Sequence, residues 1–90
     1  MNLREFAEYV TEKMKESRPF IAYWHACGYG LFYLDGGKRA ELRFRRCLKE
    51  MWTDKRIKDL KVVEAHANGA FSTEERGDAN LAGMLWEMCT

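Results

Sequence analysis

Ninety residues, 47% hydrophobic and 13% aromatic with a single proline, fit one globular domain over 1–90 and are too apolar for a disordered chain. A net charge of +1 and a pI near 7.7 fall well below the strongly basic range of a dedicated nucleic-acid-binding domain. There is no run of about eighteen apolar residues, no signal-peptide core, and only an odd, unpatterned set of three cysteines. The reading is a cytoplasmic protein with reduced thiols, no membrane partner and no disulfide framework.

The first predicted element is a helix over about 3–16. Leu3, Phe6, Ala7, Val10 and Met14 recur at the helical period. Asn2 and Glu5 have the spacing of a capping box, and Ser17-Arg18-Pro19 stops the helix because the residue before proline avoids the α region. Phe20 to His25, aromatic and β-branched after a proline, predicts a strand. Gly28-Tyr29-Gly30 is expected to break or bend it, with Leu31 to Leu34 a second short strand ended by the turn signal Asp35-Gly36-Gly37.

The next segment carries two patterns. Ala40, Leu42 and Phe44 alternate with Arg39, Glu41, Arg43 and Arg45 as in a strand, whereas Ala40, Phe44, Cys47, Leu48 and Met51 fit one helical face. The Asp-Gly-Gly turn favours a hairpin, so the expectation is a strand through about Phe44 and a helix over about 46–52. Lys61 to Ala67 reads as a strand and Asn68-Gly69 as a turn. Ser72 with Glu75 is a second possible capping box, and Leu81, Ala82, Leu85, Trp86 and Cys89 give a C-terminal helix starting near Asp78. The fold class is α+β: one short antiparallel sheet packed with an N-terminal and a C-terminal helix. Phe6, Val10, Met14, Phe44, Leu48, Leu81 and Leu85 are the expected core.

Charge is segregated along the chain. Residues 38–61 hold ten basic and four acidic side chains, and residues 62–90 hold one basic and five acidic. The basic middle could meet phosphates, with Trp52 adding a stacking ring, so nucleic acid is the alternative partner; the interleaved Glu41, Glu50, Asp54 and Asp59 suit an ordinary solvated face instead. Gly28-Tyr29-Gly30-Leu31-Phe32 overlaps the basic-Gly-aromatic-Gly-aromatic pattern of RNA-recognition domains, but Cys27, Leu31 and Leu34 stand where a base and two aromatics are needed.

His25 and Cys27 are two apart, with His66, Cys47 and Cys89 elsewhere. That is one short pair where zinc needs about four convergent ligands, so no metal and no cofactor are expected. A nucleophile pairing Cys27 with His66 or His25 is the third alternative, without an orienting residue or oxyanion loop to complete it.

Phe20, Tyr23, Trp24, Tyr29, Phe32 and Tyr33 fall within fourteen residues, more than a small core absorbs. Exposed aromatics beside arginine are the usual anchors of protein interfaces. The sequence therefore points to a non-enzymatic interaction module, an adaptor or inhibitor of the kind common among phage and mobile-element proteins. Its partner-binding candidates are Trp24, Tyr29, Arg39, Arg43, Arg45 and Arg46. A protein is the expected partner, and the same aromatics would also serve a homo-oligomer.

Overall fold

The computed structural model describes residues 1–75 and 81–89. Helix α1 spans Leu3–Met14, strand β1 Phe20–His25, β2 Gly28–Tyr33, helix α2 Lys38–Thr53, β3 Lys61–Ala65, β4 Phe71–Glu75 and helix α3 Leu81–Cys89. The four strands form one antiparallel sheet in the order β2-β1-β3-β4. The α+β plan is as the periodicities imply, with N- and C-terminal helices flanking a short antiparallel sheet.

Alternation along the strands gives the sheet two different faces. Phe20, Ala22, Val63 and Ala65 point to one side and are buried together with Phe6, Ala7 and Val10 of α1 and Leu81 and Leu85 of α3. The α1 start is fixed as expected: the Asn2 side chain accepts from the Glu5 N–H at 2.8 Å, and Glu5 accepts from the Asn2 N–H at 3.1 Å. Trp24 belongs to this same side, and its indole N–H donates to the Met1 carbonyl at 3.0 Å. Lys61 lies in register with Trp24 and is 0% exposed, so it is not part of the basic surface in which its sequence neighbours place it.

The other face carries Ile21, Tyr23, Phe32, Val62 and Glu64, and α2 lies over its β1–β2 half. Phe44 of α2 stacks on Phe32, ring centroids 5.1 Å apart, and also meets Tyr23 at 6.1 Å. Phe44 and Leu48 are thus half-buried rather than core, and Met14 is half-buried at the core's margin.

Five local expectations change. The expected strand through Phe44 does not form, because Lys38–Thr53 is one continuous helix. Asp35-Gly36-Gly37 is not a hairpin turn: Leu34–Gly36 make a single 3₁₀ turn, and Gly37, at φ 135°, caps α2 in a conformation that favours glycine. Gly28 and Gly30 lie inside β2 instead of ending it, and the reversal is at Ala26-Cys27. Gly30 sits opposite Tyr23, whose ring crosses it; a Cβ there would stand 2.6 Å from a ring carbon, so the missing side chain is what lets the ring lie flat. Ser72 and Glu75 belong to β4, not to a helix cap, and β3 stops at Ala65, where the expected Asn68-Gly69 turn begins. The expected helix start near Asp78 and the side chains of Trp86, Met88 and Cys89 lie outside the described residues.

Candidate interaction surface

Helix α2 has sixteen residues and none of them is buried. Its sheet-facing flank carries Phe44, which stacks on Phe32. Turning by about 100° per residue from Phe44 carries the chain to Arg45 on one side and Arg43 on the other. Arg45 reaches the third strand: its guanidinium donates to the Glu64 carboxylate at 3.0 Å and lies 3.6 Å from Glu41. The Glu64 carboxylate holds the Arg45 charge even more firmly than usual, pushing its pKa above the ordinary arginine value. Arg45 is therefore a tie between α2 and β3.

Beyond that tie, no helix among the described residues covers this face of the β3–β4 half of the sheet. Ile21, Val62, Glu64, Ser72 and Glu74 floor a groove of about 280 Å³ whose wall is Arg45, Leu48, Lys49 and Trp52. It is an amphipathic trough, apolar at the bottom and charged along the rim.

The outward side of α2 carries Arg39, Leu42, Arg46 and Lys49 at i, i+3, i+7 and i+10, a spacing that sets them in one stripe. Leu42 is 55% exposed. Among the described residues, the side chains of Arg39, Arg46 and Lys49 form no ion pair, whereas Arg4, Arg18, Arg45 and Arg56 each have a carboxylate within 4 Å. The unsatisfied cations of the described chain are concentrated on this helix, and a bare leucine sits between them.

The expected union of aromatics and arginines does not occur. Trp24 and Tyr29 face α1, where Tyr29 meets the Tyr9 ring edge-on at 5.9 Å and is 48% exposed. Arg39, Arg43, Arg45 and Arg46 lie on the opposite side of the sheet, and among themselves diverge around the helix. A continuous helix with Phe44 inward separates Arg43 from Arg45, which a strand would have kept together. Leu42 was missed for the same reason, because strand alternation sends it inward, and Lys49 because a helix starting near residue 46 leaves it out of line with Arg39 and Leu42. Their i, i+3, i+7, i+10 spacing was the available signal.

The remaining chemistry is dispersed. The aromatic rings of β2 do not form one open RNA-type platform: Tyr29 and Phe32 lie on opposite faces of the strand, Tyr29 against Tyr9 of α1 and Phe32 against Phe44 of α2. His25 accepts the Cys27 backbone N–H on Nδ1 at 3.1 Å, while His66 sits in the β3–β4 turn at the far end of the sheet, so Cys27 and His66 cannot act together. Cys27 and Cys47 are exposed free thiols. Among the described residues, no three His, Cys, Asp or Glu side chains converge as metal ligands would, and no helix is long and apolar enough to cross a membrane. No protein-family model matches this chain, and neither does any curated protein or solved structure.

Proposed function

We propose that the protein is a non-enzymatic interaction module, an adaptor or inhibitor, that docks the outward stripe of α2 on an acidic surface of a partner protein. The observation that carries this reading is the stripe itself: Arg39, Arg46 and Lys49, without ion pairs among the described residues, around the 55%-exposed Leu42. Arginine suits bidentate carboxylate contacts, and a central apolar side chain among cations contributes only against a surface that can dehydrate it. A phosphate backbone offers Leu42 no such partner, which favours protein over nucleic acid.

The test is capture of the partner from extracts by the full chain, with the captured protein identified and then titrated in purified form. Arg39→Glu with Arg46→Glu, and separately Leu42→Ser, should each weaken binding about tenfold or more while thermal melts stay unchanged. Folded variants that bind at full strength place the site elsewhere. If nuclease treatment abolishes capture and Leu42→Ser has no effect, the basic stripe serves phosphates and the protein reading fails.

A further inference from the structure

The two edges of the sheet are treated differently. Edge strand β4 has the sequence Phe-Ser-Thr-Glu-Glu, whose charges discourage further pairing. Edge strand β2, Gly-Tyr-Gly-Leu-Phe-Tyr, has no charge and no proline along six residues. Such a strand is a template for another one.

Its free hydrogen-bonding groups can be assigned. The β1–β2 hairpin closes around Ala26 and Cys27 with His25 opposite Gly28, and at the other end the Leu34 N–H donates to the Pro19 carbonyl at 2.8 Å. Antiparallel pairing alternates bonded and non-bonded residues. The even-numbered residues of β2 therefore bond to β1, and the backbone groups of Tyr29, Leu31 and Tyr33 point away from the sheet. Among the described residues no strand pairs with them.

Helix α2 supplies the second observation. The Arg45 flank is turned toward β3, so the opposite flank, Ala40, Arg43, Cys47 and Glu50, lies toward the β2 edge; all four are exposed. Ala40 and Cys47 are small, which lets another helix come close. Arg43 and Glu50 make no ion pair among the described residues and are seven residues apart, about 10 Å along the helix. A two-fold axis normal to the sheet runs two copies of β2 antiparallel and two copies of α2 antiparallel. It keeps odd-numbered residues against odd-numbered residues, as the outward groups require. It also brings Arg43 of each copy against Glu50 of the other, so the surface is complementary in charge to itself.

We propose that the protein forms a two-fold dimer, β2 pairing antiparallel with β2 of a second copy to give a continuous eight-stranded sheet, with the Arg43–Glu50 flanks of the two α2 helices in contact. This goes beyond the α2 stripe, which stays outward in the dimer and can fail or succeed independently.

Sedimentation velocity of the full chain should give twice the 10.6 kDa chain mass at about 100 µM. Tyr29→Pro removes one outward N–H that no strand among the described residues accepts and should shift the protein to monomer, whereas Tyr29→Ala, which loses the same edge-on contact with Tyr9 but keeps that N–H, should remain dimeric. Arg43→Glu alone and Glu50→Arg alone should each weaken self-association about tenfold. Mixing those two single variants, or combining the changes in one chain, should restore it, because each then again opposes unlike charges. A wild type that remains monomeric overturns the proposal, even if its β2 edge takes up a strand of another protein. So does a dimer that neither Tyr29→Pro nor the charge changes affect.

Discussion

At the scale of residues, the surface is held by short polar clasps, and these are the groups that link stability to pH. Arg18 donates twice to Asp35, at 2.8 and 2.9 Å, and its guanidinium lies 3.7 Å from the centre of the Tyr33 ring. The Tyr33 hydroxyl in turn donates to Glu16 at 2.8 Å. The cluster ties the α1–β1 connection to the end of β2. The Arg18 hydrogen bond holds the Asp35 carboxyl below its ordinary value, and the Tyr33 hydroxyl does the same for Glu16. A carboxylate whose folded-state pKa is depressed contributes stability that is complete above its unfolded value and lost as pH falls through the folded one. The contribution of Asp35 is therefore present at neutral pH and declines below the ordinary 3.8. Asp35→Asn should lower stability near neutrality and leave a flatter acid limb, measured by urea denaturation across a pH series; an acid limb identical to wild type would show that the clasp contributes nothing. The Asn2–Glu5 cap was legible because both partners lie within one turn. The Arg18–Asp35 clasp was not, because its members lie seventeen positions apart and only the folded hairpin brings them together.

At the scale of elements, α2 shows where local signals conflict. Its sequence alternates like a strand and repeats like a helix, and Asp-Gly-Gly before it suits either a hairpin or a helix cap. Helix wins because Lys, Arg, Glu and Leu favour it by propensity and because a 3.6-residue period sets Phe44 and Leu48 on one side, where a half-covered sheet receives them. Strand β2 failed to read as one piece for a different reason. Two glycines look like punctuation, yet Gly30 answers to the Tyr23 ring across the ladder, a relation that no window of neighbouring residues contains. Because α1 and α3 bury apolar side chains completely and α2 buries none, α2 should be the least firmly held of the three helices. Phe44→Ala removes the stack on Phe32 and should cost about 2 kcal/mol, below the 3–5 typical of a fully buried phenylalanine. Native-state hydrogen exchange should then show residues 38–53 opening before the sheet. Uniform loss of protection across the chain would mean that α2 and the sheet unfold as one unit.

At the scale of the whole molecule, the sheet divides the protein into a closed side and an open side. Periodicity alone could name the apolar positions of α1 and α3, since their stripes are uninterrupted, and Phe6, Val10, Leu81 and Leu85 are all buried. It could not rank α2 below them, because Leu48 and Leu85 occupy equally regular stripes; what separates them is how much of the sheet each helix covers. The same asymmetry explains why the candidate partner surface was only partly readable. The arginines were named from composition, but their grouping depends on which side of the sheet the helix occupies. The two leucines therefore give a direct test of the architecture. Leu85 is 0% exposed in the cluster that joins α1, α3 and the sheet, and its truncation to alanine should leave a cavity costing about 2–5 kcal/mol. A marginal domain of this size has little more to lose, so Leu85→Ala should be largely unfolded at moderate temperature. Leu48 lines an open groove and is half-buried, so Leu48→Ala exchanges some contact for water rather than for a void and should cost less than about 1 kcal/mol. Thermal denaturation of both variants under identical conditions decides the matter. Equal destabilisation would show that α2 closes over β3 and β4 in solution and that the open half of the sheet does not persist.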